Sequence, residues 1–369
     1  MVFDGYRNAA YFRALEKVAT SDSTVLDLGA GLGVHGLNAA ALGVAAVHLV
    51  EPLPIIELAR NIAADNDLGN VHCHECRADE MQLEAPVDIL VSVFTGNFLL
   101  TEDLLPSLFN ARDRFLKPGG QMIPDRGRMQ VVPVSAADYY QKYIGQWDDY
   151  AKHASEHAIP QLDHRGVRRY AANSLYYDRR KKFDSVPLAS PADLAELDFA
   201  TAISADCDSQ IDVRVERDGP CHGWLGWFQI HLVDEWFSTS GDSYDTHWCP
   251  VFLPLERPIE VTAGEELNFS LKRPEFGDWT WTTTHRGTRQ RQSTFLSKPL
   301  SLERVHKTAE DYQPCLNQRG EAALWVLAKM AGEFVPAQLA SELNERFPAV
   351  FVDRPDALAF VINLVEDYS

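Results

Sequence analysis

Basic residues are few in this sequence: 34 Lys and Arg face 53 Asp and Glu, a formal net charge of −19. Such a chain repels phosphate backbones and draws in cations, so nucleic acid is excluded as the main ligand and a basic partner is expected. Cysteine is scarce, six in 369 residues, too sparse for a disulfide scaffold, and a cytoplasmic setting is expected. No apolar run approaches the roughly 20 residues of a bilayer-spanning helix, so no membrane span is expected. The start, Met1 to Arg7, lacks the basic and apolar segments of a signal peptide. Internal repeats and low-complexity tracts are also missing. What remains is 46% hydrophobic and 24% charged, the balance of a globular protein long enough for two or three domains.

The first third alternates strand and helix: Val25–Leu28, a helix to about Leu42, Val47–Glu51, Ile55–Asn66, Val71–Cys76 and Val87–Ser92. Lys117–Gly120 reads as a sharp turn before a fifth strand. This period implies parallel pairing and an α/β doubly wound sheet. An aromatic-rich, helical stretch follows from Tyr139 and ends in the basic run Arg179–Lys182. From about Leu197 to Ser297 alternation of period two, as in Ile211–Val215 and Phe228–Leu232, predicts an antiparallel barrel or sandwich. Helical spacing returns at Gly320–Met330, Pro336–Arg346 and Asp356–Val365. The expected domains are 1–132, 133–304 and 305–369.

The loop Asp27-Leu28-Gly29-Ala30-Gly31-Leu32-Gly33 follows the first strand, where glycines let backbone approach a ligand closely. With Gly36 it also fits the dinucleotide fingerprint, so the glycines alone are ambiguous. Asp27 favours S-adenosylmethionine, because a carboxylate there can face a cationic amino group but would repel a pyrophosphate. Its plainer alternative is a helix cap. Glu51, ending the second strand, can accept hydrogen bonds from ribose hydroxyls. Cys73-His74-Glu75-Cys76 suggests zinc, yet no second ligand pair at metal spacing follows, and no metal is expected.

From Asp4 to about Val134 the sequence resembles the protein arginine N-methyltransferases. The matching pieces are Asp4-x-x-Arg7-Asn8-x-x-Tyr11, the glycine loop, Asp88–Ser92, Gly96, Glu102, Ala111-Arg112-Asp113, Pro118-x-Gly120 and Ile123–Arg126. Phe237–Ser240, Thr246-His247-Trp248 and Gly264–Glu266 match that family's β-barrel. The resemblance implies a Rossmann-like class I methyltransferase domain followed by an antiparallel β-barrel. It also implies that Arg7 holds the cofactor carboxylate, that Asp27, Gly29, Gly31 and Gly33 hold its amino-acid part, and that Glu51 holds the ribose. Ala78 and Asp79 would lie at the adenine, with Glu80 one position away.

The family orients a guanidinium with two glutamates on one loop. In Ser92–Glu102 the second is Glu102, but the first is replaced by Val93. Glu102 and His247 are the implied catalytic pair, with Val93 and Trp248 against the substrate. Trp248 as plain core, and His247 as a backbone-bonding barrel residue, are the alternatives. The family's Tyr-Phe-x-x-Tyr lid helix precedes the Asp-x-x-Arg element and is not expected within Met1–Ser369, where Phe3 and Tyr6 resemble it in letters only. Three readings follow: methylation of an arginine using Glu102 and His247, a pocket changed to a less cationic acceptor, or cofactor binding without transfer. A small-molecule acceptor such as free arginine is a further alternative. Pro314–Glu321 and the helices after it resemble the winged-helix peptide-binding domain of pyrroloquinoline quinone biosynthesis, which implies recognition of a ribosomally made peptide, with an interaction or oligomerisation appendage as the alternative. From Ala309 on, four basic residues against ten acidic ones oppose a DNA-binding winged helix. The expected partner is a basic peptide or protein, with a second copy of the chain as an alternative.

Overall fold

The computed structural model describes residues 1–177, 184–240, 246–330, 332 and 334–369; the basic run Arg179–Lys182 lies outside the described residues. A first helix, α1 (Gly5–Val18), leads into β1 (Thr24–Leu28), α2 (Val34–Ala41), β2 (Ala46–Val50), α3 (Ile56–Asp65), β3 (Val71–His74), β4 (Val87–Ser92), α4 (Leu105–Phe115) and β5 (Leu116–Ile123). The strands form one parallel sheet in the order β3-β2-β1-β4-β5. Strand β1 is buried along nearly its whole length, because helices cover both faces of such a sheet. The order reverses between β1 and β4, so the loops leaving their carboxyl ends lie side by side, where α/β sheets bind ligands.

Two boundaries differ from expectation. The third strand stops at His74 rather than Cys76, since its partner β2 ends at Val50, opposite His74. The turn expected at Lys117–Gly120 lies inside β5: a register shift against β4 between Val87 and Ile89 absorbs it, with Gly119 at φ 78°.

The antiparallel part begins earlier than residue 133, with β6 (Arg126–Ser135). After α5 (Ala137–Tyr143), α6 (Tyr150–Glu156) and α7 (Arg165–Ala172) come β7 (Tyr176–Tyr177), β8 (Val186–Pro187), β9 (Ala192–Asp198), β10 (Cys207–Arg214), β11 (Gly219–Leu232), β12 (Glu235–Ser238), β13 (Val251–Val261), β14 (Glu266–Arg273), β15 (Thr280–His285) and β16 (Thr288–Ser293). One sheet runs β7-β13-β11-β6-β8, with β12 on β11 and β9 on β6; the other runs β10-β14-β15-β16. They meet where β9 adjoins β10 and β13 adjoins β16. Trp224 and Trp281 fill the space between them, and each indole N–H finds an acceptor, Thr283 Oγ1 at 2.9 Å and Pro254 O at 2.8 Å.

The chain divides into two compact units, Met1–Pro299 and Leu300–Ser369. The second contains α8 (Leu302–Lys307), α9 (Gln318–Met330), α10 (Pro336–Arg346) and α11 (Arg354–Tyr368). Its core joins Val326, Leu339, Leu343, Phe351 and Val361. No strand accompanies these helices among the described residues. Among the described residues no helix is long and apolar enough to cross a membrane.

Candidate active site

Asp27 is the last residue but one of β1 and is buried. Its Oδ2 accepts from the backbone N–H of Gly36, 2.7 Å away in α2, which meets the helix-cap expectation. Burial pushes its carboxyl up to about 7, against the pull of the Gly36 N–H and of Arg7. Glu51, just past β2, accepts from Gly31 N at 3.0 Å and Leu53 N at 3.2 Å. A carboxylate has about four lone-pair sites, so capacity for two hydroxyl donors remains. A Cβ on Gly29 would lie 2.2 Å from the Phe94 ring, so the loop backbone faces that ring without room for a side chain.

The same cleft is lined by Leu28, Gly29, Val50, Ala78, Asp79 and Phe94. Asp79, exposed and paired with Arg77 at 3.2 Å, lies on this cleft, whereas Glu80 turns back to cap the Arg77 N–H at 3.0 Å. Arg114 pins the segment through Ala78 O, Asp79 O and Met81 O at 2.8–3.1 Å.

Arg7 projects from α1 and is only 2% exposed. Its Nη2 donates to Met1 O at 3.0 Å and Asn8 Oδ1 at 2.7 Å, while Nη1 is buried without a partner. A buried guanidinium nitrogen left over beside Asp27 is the donor that an amino-acid carboxylate requires. Asp79 and the Gly29 backbone thus line the cleft, Asp27 and Glu51 bracket its glycine loop and Arg7 lies buried near Asp27, a set whose chemistry fits an adenosyl amino-acid cofactor.

The loop after β4 runs beside this groove. Tyr11 of α1 donates to Ser92 O at 3.2 Å, and Ser92 Oγ donates to Leu28 O at 3.0 Å, tying the two loops together. Val93 is half-buried against the core. Glu102 is exposed, and among the described residues no hydrogen bond to its carboxylate is present. The barrel loop is bolted on from the other side. Asp4, the N-cap of α1, accepts from Arg7 N with one oxygen and from His247 with the other, 2.9 Å from its N and 2.7 Å from its Nδ1. Burial would raise Asp4, but the His247 and Arg7 hydrogen bonds outweigh it and hold the carboxyl at about 2. Trp248 is buried, its indole donating to Thr95 O at 2.9 Å, so it braces the site from within the core rather than walling the substrate. Asn97 Oδ1 accepts from Cys249 N at 2.8 Å.

Gly29, Ala78 and Asp79 thus share one cleft, Asp27 and Glu51 flank its glycine loop, Arg7 is buried near Asp27, and Val93 and Glu102 lie on the neighbouring loop after β4. Sequence reasoning missed the role of Asp4, although its position three residues before Arg7 is a capping signal. It also missed Asn97 and the half-buried Tyr177, whose hydroxyl is raised by burial and by the charges of Cys249 and Glu102. Among the described residues no cluster of three or more metal-ligating side chains could hold a metal, and Cys73 and Cys76 carry free thiols.

Residues 125–278 match the arginine methyltransferase oligomerization subdomain, and residues 25–120 match a methyltransferase domain. Protein arginine N-methyltransferase 1 of Schizosaccharomyces pombe is 30% identical over 255 residues, covering 67% of this chain and 72% of the relative. The arginine N(omega)-methyltransferase of Streptomyces achromogenes subsp. streptozoticus is 28% identical, covering 75% of each chain. Several other curated relatives are longer, and the chain spans 47–64% of their length. The fold is shared with the Trypanosoma brucei PRMT1 enzyme–prozyme heterotetrameric complex with AdoHcy, with a TM-score of 0.71, 24% identity, and coverage of 79% of this chain and 96% of that one. The chain belongs to the protein arginine N-methyltransferase family.

Proposed function

We propose that this chain is a cytoplasmic S-adenosylmethionine-dependent methyltransferase whose acceptor is an arginine side chain in a peptide or protein. The observation that supports this reading is the junction of Asp4 with His247: it ties a barrel loop to the start of the helix that carries Arg7, so cofactor ligands would stand on the parallel-sheet side and acceptor ligands on the barrel side. When bound, the cofactor supplies a methyl group already activated on a sulfonium. Arg7 would pair with its carboxylate, Asp27 with its ammonium, Glu51 with the ribose hydroxyls and Asp79 with the adenine amine.

Glu102 would orient the acceptor guanidinium and take up the proton left on the methylated nitrogen. Asp4 holds the His247 ring through Nδ1, leaving Nε2 without a hydrogen bond among the described residues. Val93 presents only carbon where a second carboxylate would complete the fork. A half-satisfied guanidinium forfeits about 1.5–3 kcal/mol, so the enzyme draws on its overall negative charge to concentrate cationic substrates. The C-terminal helical unit would recognise the substrate peptide, and a second copy of the chain is the partner suggested by the matched oligomerization subdomain. The relative named arginine N(omega)-methyltransferase favours arginine itself as a second acceptor.

Incubation with isotopically labelled S-adenosylmethionine, an arginine-rich peptide pool, free arginine and a lysate tests the proposal. Label on a guanidinium is expected. Label on any other atom would mean a repurposed pocket, and cofactor binding without label anywhere would mean a silent binding protein.

A further inference from the structure

The acceptor loop has a backbone that its own sequence does not favour at Phe98 and Leu99. Phe98, Leu99 and Asp103 all lie in the left-handed region, at φ 51°, 65° and 56°, and none is glycine. Single residues in this region persist only when their surroundings over-determine them. Here the surroundings come from the barrel. Phe98 is fully buried, stacked on Trp279 with ring centroids 5.6 Å apart and seated on Gly226, where a Cβ would come within 2.6 Å of its ring. The Arg273 guanidinium, at the end of β14, lies 5.6 Å over the other partner in the stack, Trp279. Arg273 Nη2 then donates to Asp103 Oδ1, which also accepts from Phe276 N at 3.0 Å.

Arg273 is 2% exposed, and its Nε and Nη1 have no partner, so Asp103 is its one counter-charge among the described residues. A buried cation with a single carboxylate holds that carboxylate firmly, because breaking the pair strands the charge. Asp103 directly follows Glu102.

Resting on the proposed acceptor site, we propose that Arg273, Asp103 and Trp279 form a barrel-mounted clamp that aims the Glu102 carboxylate. They are positioning residues, acting through the loop backbone at residues 98–103. The clamp ties acceptor orientation to the β-barrel, while cofactor binding is left to the parallel sheet.

The test uses the full chain with Asp103→Ala, Arg273→Lys and Glu102→Gln. Hydrogen–deuterium exchange follows residues 98–104, and steady-state kinetics follows methyl transfer to the arginine-rich peptide pool. In folded Asp103→Ala, exchange across 98–104 is expected to rise, kcat to fall about tenfold or more, and Kd for S-adenosylhomocysteine to stay within about twofold. Arg273→Lys, which keeps the charge, is expected to recover most of kcat. Wild-type exchange and kcat in folded Asp103→Ala would overturn the clamp. So would full transfer by Glu102→Gln alongside loss in Asp103→Ala, since the loop would then act through some other group. If the wild type transfers no methyl to any acceptor, the functional reading fails, while the exchange experiment still decides whether the barrel holds the loop.

Discussion

Two neighbouring loops solve the same backbone problem by opposite means. After β1, the chain turns through Gly29, Gly31 and Gly33 at φ 70°, 54° and 74°, residues for which the left-handed region carries no steric cost. After β4, Phe98 and Leu99 occupy the same region without that freedom and Asp103, a residue type that tolerates it better, joins them, held by Trp279, Gly226 and Arg273. The cofactor loop is a local structure, written within a few residues. The acceptor loop is a tertiary one, whose shape exists only because the barrel packs onto it. On the proposed assignment of the two loops, cofactor binding would rest on local structure, whereas acceptor orientation would be coupled to the barrel.

Substitutions in the two loops should therefore fail differently. The largest effect is expected for Phe98→Ala, which empties a fully buried site and should cost about 3–5 kcal/mol of unfolding free energy in urea. A result near that of Gly31→Ala, where a Cβ meets nothing within 4 Å and only the positive φ penalises it by about 1–2 kcal/mol, would erase the contrast.

Next comes Asp4→Ala. Losing a helix cap costs about 1 kcal/mol, and stranding two His247 donors costs more, so thermal unfolding should shift down by several degrees. The sign with pH is fixed by the depressed Asp4 carboxyl, at about 2 against an unfolded 3.8. Its contribution is fully present above about pH 4 and is lost as pH falls through about 2, so wild type and variant should converge in acid.

Gly29→Ala should act on the cofactor. The new Cβ would press on Phe94 at 2.2 Å, and isothermal titration with S-adenosylhomocysteine should show affinity weakened about tenfold. The smallest effect concerns Asp27, raised by burial to about 7. Only the ionised carboxylate attracts an ammonium, so affinity for S-adenosylhomocysteine should rise a few-fold from pH 6 to pH 8, and Asp27→Asn should flatten that dependence.

The same contrast governs what the sequence made legible. The parallel sheet, the glycine loop, Asp27 and Glu51 were readable because hydrophobic period, turn chemistry and strand-end position are all local. The letters of Lys117–Gly120 spell a turn before a strand, whereas pairing with β4 places it inside β5 through a register shift. The third strand's end was set by where β2 runs out of pairing, which the letters of Val71–Cys76 do not record. In the candidate site, the family pattern points to Glu102 and His247, but Asp4 as the anchor of His247 joins residues 243 positions apart. Trp248 carried the letters of a substrate wall, yet its indole is committed to Thr95 inside the core. Arg273 left no signal at all, since a basic residue ending a strand reads as a solvated one until its burial is seen.

The separation of the two sides is tested most directly by Glu102→Gln, measured for S-adenosylhomocysteine binding and for methyl transfer to an arginine-rich peptide in the same preparation. The expected result is a Kd within about twofold of wild type and a kcat lower by about a hundredfold or more. Unchanged transfer would contradict the assignment of Glu102 to the acceptor, and parallel loss of binding and transfer would contradict the division between the two loops.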